Sequence, residues 1–385
     1  MNPADYVVDP DIARAETLPA SAFTDPAFLE REYATVFAKH WSFVPRRPAA
    51  DLADDPRDLD EHLSVRGVRV PVGVAGRPVF LQRDWEGRLR AFPNVCTHAW
   101  HTLVPGIARE RFITCPQHGR EFDCSGRLTK HPGFGRVEGF PRAEDHLREL
   151  SVAQWDRWLF AALGDAAAPL DAVLAPVRES LECLPLDRLT RRPQTAEMRE
   201  VPGNWKLHAW NYLDRYHIGF LHRAPGGLAD AVDLKSYRVR CHEHAVLQVG
   251  YATDPAQGFL PEQVPARLRD TSPRRRPAFA IWWYLFPNTT LNFYPWGLSV
   301  NVYEPVPGRP DRTNFLWYHW SWDDERYAER ERVYLNAQVD AEDVDAIGQV
   351  RRGVASGFAV RGRFAPTEEE GPHWLHRKVY EAVFG

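Results

Sequence analysis

The 385-residue chain has little cysteine, no long apolar run and no large excess of either charge. Each shortage removes a class of protein. Five cysteines, an odd and sparse number, make a poor disulfide framework. Cys124, Cys183 and Cys241 have no partner at ligand spacing and read as small buried hydrophobes. No window approaches the roughly 18 apolar residues that a membrane span requires. The N-terminus, MNPADYVVDPDIARAE, shows no basic region followed by an apolar one, so no signal peptide is read there. The expectation is a soluble cytoplasmic protein. A net charge of −4 makes no case for nucleic-acid binding, and the basic run Arg274–Arg276 reads as a solvated loop. Internal repeats and low-complexity tracts are missing as well.

What is present is a chain long enough for two or three domains, with 44% hydrophobic residues to fill their cores. Residues 25–44 read as a helix. Asp25 can cap it, Pro26 suits its first turn, and Leu29, Tyr33, Val36 and Phe37 share a face. A proline- and aspartate-rich connector, Pro45 to Pro56, leads into short β-type runs. PVFLQRDWEGRLRAF is a hairpin candidate with its turn at Asp84–Gly87, and a second turn is expected at Ser125-Gly126. Residues 201–222 read as a helix beginning near Asn204. Residues 235–253 and 278–322 carry the Val, Tyr, Trp and Phe of an antiparallel sheet. Two helical stretches close the chain. These textures predict an N-terminal helical segment (1–44) packing on the last domain, a small all-β domain (45–160) and an α+β domain (161–385).

Within the small domain stands CTHAWHTLVPGIARERFITCPQHG, which pairs Cys96 with His98 and Cys115 with His118. Thiolates and imidazoles at such spacing read as a metal site. A structural zinc could use all four. A Rieske [2Fe–2S] centre would place two cysteines on one iron and two histidines on the other. Zinc fingers pair like with like and put the histidines on a helix. Here each loop offers one of each between strand-like flanks, which favours the two-iron reading. Pro116 and Gly119 permit the tight turn that lets backbone amides approach the sulfurs. His101 has the wrong spacing and reads as a loop residue.

This stretch resembles the Rieske motif C-x-H…C-P-x-H-G. The chain departs from it at Ala99-Trp100, where the family usually has Arg-Gly, and at Gln117 and Arg120, where aromatics are usual. Further on, NWKLHAWNYLDRYHIGFLH resembles the iron-binding helix of Rieske non-haem iron oxygenase α subunits, the aromatic-ring-hydroxylating family. The resemblance makes His217 and His222 ligands of a mononuclear Fe(II), and Asp214 the catalytic aspartate linking the two metal centres. Trp210 stands where the family often has Glu. On a regular helix His217 and His222 would lie about 140° apart, so a break is needed, and Gly219 is the expected irregularity. Asp214 and His217, three apart, face the same way. The family's third ligand lies in a late helix and matches Asp343, six residues before Gln349, with Glu342 the runner-up.

The resemblance implies an all-β Rieske domain and a helix-grip (START-like) catalytic domain with an antiparallel sheet. It also implies a terminal oxygenase acting on a small organic substrate with dioxygen, fed by a ferredoxin or flavin reductase. A head-to-tail homotrimer would bring the cluster of one subunit, through His118, to Asp214 and His217 of the next. Oxygenation of one or two atoms and oxidative demethylation share these ligands. Aromatics such as Trp282, Trp283, Tyr294, Trp296, Tyr318 and Trp320 crowd the candidate strands, and alternation sends about half of them inward. They suit either an aromatic ring or, by cation–π contact, a methylated amine. Aspartate at position 214 tips the expectation toward an aromatic or apolar substrate, with N-demethylation of a quaternary amine as the alternative. Two other classes compete: a Rieske electron carrier without mononuclear iron, and a zinc-stabilised binding module.

Overall fold

The computed structural model describes residues 1–45, 59–225, 227–333 and 336–385. The connector expected over Pro45–Pro56 lies outside them from residue 46 onward. The chain divides into two compact units. One comprises Phe37–Leu170, the other Met1–Val36 together with Asp171–Gly385. Among the described residues no helix is long and apolar enough to cross a membrane.

The helix expected over 25–44 is shorter than its periodicity suggests. The Asp25 side chain accepts from the Ala27 amide and Pro26 opens the helix, which ends at Glu32. A π-helical turn follows over Tyr33–Phe37. Ser42–Phe43 is a strand, paired antiparallel with Trp158–Ala161. Sheet pairing takes those residues out of the helix and into the smaller unit.

The smaller unit is all β apart from short helical turns. A four-stranded sheet runs in the order Leu89–Pro93, Arg77–Arg83, Val68–Val74, Ala108–Arg109. The expected hairpin closes at Asp84, whose carboxylate accepts from the Arg88 amide at 2.7 Å. A three-stranded sheet of Ile113–Thr114, Glu121–Phe122 and Leu128–Lys130 carries the second expected turn, with Gly126 at φ 84. Phe80, Phe92, Ile113, Phe122 and Leu128 form one core with Cys96 and Cys115.

The larger unit is built on a seven-stranded antiparallel sheet, ordered 190–202, 309–321, 297–306, 289–294, 278–285, 245–251, 238–241. Six of these strands form a meander in the two predicted regions. The first, Thr190–Pro202, was not anticipated. Its sequence TRRPQTAEMREVP is polar, and pairing along Arg309–Ser321 supplies the order that alternation does not. Trp282, Asn292 and Ser299 stand opposite one another and share a face. Tyr212 of the helix Trp205–Leu213 donates to Asn292 at 2.6 Å, so this face grips that helix. Trp283, Leu291 and Val300 share the other face, where Trp283 donates to Ser180 of the helix Leu170–Ser180 at 2.8 Å.

The gripped helix is also anchored from the N-terminus. Asn204 caps it, accepting from the Lys206 amide. Lys206 Nζ lies 2.7 Å from Glu32 Oε1, both fully buried, and Phe23, Phe28 and Trp205 surround the ammonium. Breaking such a pair costs about 3–5 kcal/mol, since one charge is left buried alone. The Arg274–Arg276 run is not merely solvated: Arg274 and Arg276 each lie 3.1 Å from Asp233 Oδ2. Nor are the three remaining cysteines buried. Cys183 is exposed and Cys124 and Cys241 partly so, because they sit in a turn, a loop and at a strand end.

Candidate metal centres

The two Cys/His loops are structural twins. Cys96 N donates to His101 O at 2.8 Å and Trp100 N to Cys96 O at 3.2 Å. Cys115 N donates to Arg120 O at 2.8 Å and Gly119 N to Cys115 O at 2.9 Å. The same turn thus presents a cysteine at its start and a histidine two or three residues on. The fifth residue of each turn is left-handed, Gly119 at φ 70 and Trp100 at φ 60. Glycine takes that conformation freely, but tryptophan does so at a cost of about 1–2 kcal/mol.

Cys96 and Cys115 are both 1% exposed, and the rings of His98 and His118 lie 4.8 Å apart. Burial pushes the Cys96 thiol above its ordinary value, while the amides of His98 and Ala99 point at its sulfur and favour the thiolate. That opposition suits a sulfur that becomes a ligand and is stabilised by N–H groups. Burial and the Arg120 guanidinium hold His98 below the usual histidine range. His101 is exposed, its Nδ1 2.6 Å from Thr102 O.

Arg120, noted in the sequence only as a departure, has a structural role. It is 3% exposed, donates to Thr97 Oγ1 at 2.9 Å and lies 3.5 Å from Asp145 Oδ1. Phe134 and Phe140 flank its guanidinium at 4.9 and 5.3 Å. It sits on the second loop and binds the first. Its position two residues after His118 was the signal; its burial was not legible.

The second centre depends on a broken helix. Leu213 ends the regular turns, and Asp214 turns extended with ψ 101. Asp214 Oδ1 accepts from the Tyr216 amide at 2.7 Å, which stabilises the break. A short turn, Ile218–Leu221, follows with His217 before it and His222 after it. The long helix therefore breaks at Asp214, not at Gly219, and the short turn itself ends at His222 (φ −95, ψ 50), so the two histidines bracket a helix end rather than sit about 140° apart on a regular helix. His217 Nε2 and His222 Nε2 lie 3.2 Å apart.

Asp343 comes from the helix Asn336–Val354, which Arg351 ties to Asp311 at 2.6 Å. Its Oδ1 lies 3.1 Å from His222 Nε2 and 3.7 Å from His217 Nε2. The three residues form a group able to hold a metal ion. Two ligands at right angles, each about 2.1 Å from a metal, stand about 3 Å apart. The triangle has that size, and Asp343 Oδ1 is buried without a hydrogen bond. An ion would satisfy it. Glu342 instead reaches the far side of His222, with Oε2 2.7 Å from Nδ1. Asp214 Oδ2 lies 3.4 Å from His217 Nδ1. Burial pulls the His222 imidazolium down, yet the Asp343 and Glu342 carboxylates together lift it above the ordinary value.

Three of the crowded aromatics, Trp282, Tyr294 and Trp296, gather in one cluster that Tyr212 of the gripped helix joins. Trp282 packs with Tyr294, Trp296, Phe279 and Tyr327, and Tyr212 and Tyr237 join them. Tyr237 stacks on Trp282 at 5.7 Å and Tyr294 on Trp296 at 4.8 Å.

Comparison with known proteins fits both centres. Residues 57–141 match the Rieske [2Fe-2S] domain, and residues 186–384 match the catalytic domain of the ring hydroxylating α subunit. The chain is a Rieske terminal oxygenase, an oxidoreductase. It belongs to the ring-hydroxylating α subunit family, and its cofactors are a Rieske [2Fe–2S] cluster and a mononuclear iron. It is 27% identical to the carnitine monooxygenase oxygenase subunit of Acinetobacter pittii, over 98% of this chain and 95% of that one. It is 25% identical to the chloroplastic choline monooxygenase of Beta vulgaris, over 97% and 79%. A quaternary ammonium Rieske monooxygenase crystallised with an inhibitor shares the fold, with a TM-score of 0.71 and 23% identity over 98% of each chain. A naphthalene 1,2-dioxygenase bound to phenanthrene also shares it, with a TM-score of 0.68 and 17% identity over 96% and 92%. The expected leaning toward aromatic hydrocarbons finds no support among the sequence relatives, which are named for quaternary amines.

Proposed function

We propose that this oxygenase acts on a quaternary or N-methylated amine rather than on an aromatic hydrocarbon. The observation that carries the reading is the aromatic cluster on the gripping face of the sheet, next to Tyr212 and so two residues from Asp214. Stacked Trp and Tyr faces attract a methylated cation that needs no hydrogen-bond partner. The sequence relatives named for carnitine and choline support it.

In this reading Cys96, His98, Cys115 and His118 hold the cluster, and His217, His222 and Asp343 hold the iron. The cluster domain would be Phe37–Leu170 and the iron domain Asp171–Gly385 with Met1–Val36 packed on it, because Ser42–Phe43 pairs with Trp158–Ala161 and so moves the expected bounds of 44/45 and 160/161. Bound there, the cluster would supply electrons singly and the iron would supply the chemistry that activates dioxygen. Asp214 orients His217 and is the residue at which a neighbouring copy would deliver its cluster in a homotrimer. A ferredoxin or flavin reductase would be the electron source. Sedimentation of the metal-loaded protein as a monomer would remove the homotrimer from this account.

The substrate is tested with loaded enzyme and a reconstituted electron donor. Oxygen uptake and oxidised product are followed with choline, carnitine, naphthalene and indole. Uptake coupled to product is expected with the two ammonium compounds. Coupling with the neutral rings alone would return the assignment to aromatic substrates.

A further inference from the structure

Both nitrogens of His222 are engaged by consecutive residues of one helix. Asp343 Oδ1 lies 3.1 Å from Nε2, and Glu342 Oε2 lies 2.7 Å from Nδ1. Neighbouring helical residues point about 100° apart, so a single turn can reach both edges of one ring. His222 is 1% exposed, which keeps water from competing for either nitrogen. His217 is held less closely: its Nδ1 is buried without a hydrogen bond, and Asp214 stands 3.4 Å away.

We infer that Glu342 is the positioning residue of the iron site. The inference rests on the ligand set proposed above. A neutral imidazole has one N–H and one lone pair, and only the lone pair can bind a metal. By accepting the Nδ1 proton, Glu342 fixes the tautomer whose Nε2 lone pair points into the triangle, locks the ring's rotation and raises its basicity. It is not the third ligand, because it stands on the opposite side of the ring from His217 and Asp343. The two acids that sequence matching left in competition therefore divide the work between them.

The test is an anaerobic Fe(II) titration of cluster-loaded protein, reading bound metal in competition with a chelator. The variants are Glu342→Ala, Glu342→Gln, Asp343→Ala and His222→Ala. Glu342→Ala is expected to weaken iron binding about 10–100-fold while the cluster's absorption stays unchanged. Glu342→Gln, whose amide oxygen still accepts from Nδ1, recovers most of that loss. The two ligand variants lose the iron altogether. Native-like affinity in Glu342→Ala overturns the inference, as does Glu342→Gln losing iron as fully as Asp343→Ala. Should Asp343→Ala and His222→Ala both keep the iron, the ligand set itself falls and the inference with it. Glu342→Gln keeps the side chain's length and shape, so it still decides the matter if the alanine variant fails to fold.

Discussion

Cys96 to His118 occupy one short stretch of chain, and backbone hydrogen bonds shape both of its loops. His222 and Glu342 stand 120 residues apart, on a broken helix and on a late one. The thiolate loops need little beyond their own turns, closed by Asn94, which accepts from the amides of Leu103 and Val104. The iron triangle exists only when the helix 336–354 lies against the gripped helix 205–213. One centre is thus mainly a local product of the chain, the other a product of packing.

The largest effects should come from removing ligands, and they should separate. Cys96→Ser is expected to abolish the cluster's absorption and its paramagnetic signal while mononuclear iron still binds. Asp343→Ala should do the reverse. Both should abolish turnover, and metal analysis of each variant checks the split. Loss of both metals from either single variant would show that the centres do not fold independently.

A smaller effect is expected at Arg120, a buried charge that ties loop to loop. Arg120→Leu leaves Asp145 with fewer partners and Thr97 Oγ1 without its donor. A cost of roughly 2–3 kcal/mol follows from losing charged hydrogen bonds in a buried place. Denaturant unfolding should show it, with iron affinity of the other centre unchanged. No change in unfolding midpoint would mean the loops hold themselves.

The smallest effect carries the opposite sign. Trp100→Gly relieves the left-handed strain that its twin, Gly119, does not have. Glycine's extra freedom in the unfolded chain offsets part of the gain, so the net stabilisation is about 1 kcal/mol. A thermal melt checks it. A fall in stability would show that the indole contributes more than its strain costs.

The legible parts follow the same division. The four residues proposed to hold the cluster could be singled out because each Cys/His pair sits within three positions of sequence. The start of the helix near Asn204 could be read, as could six strands of the large sheet from their β-branched and aromatic residues. Thr190–Pro202 could not, since an edge strand paired on one side only need not alternate. The helix through residue 44 was too long because helical periodicity does not report a competing strand partner such as Trp158–Ala161.

The sequence by itself singled out candidate donors as types: two thiolates with two imidazoles on paired loops and, through the family resemblance, two histidines with a late acid. Ligand chemistry is a property of side chains, and it survives without coordinates. Only the tertiary structure decided which acid faces the triangle, where the helix breaks, and that Arg120 is buried. Those outcomes depend on distances between segments remote in the chain, set by packing and by the need to satisfy every buried polar group.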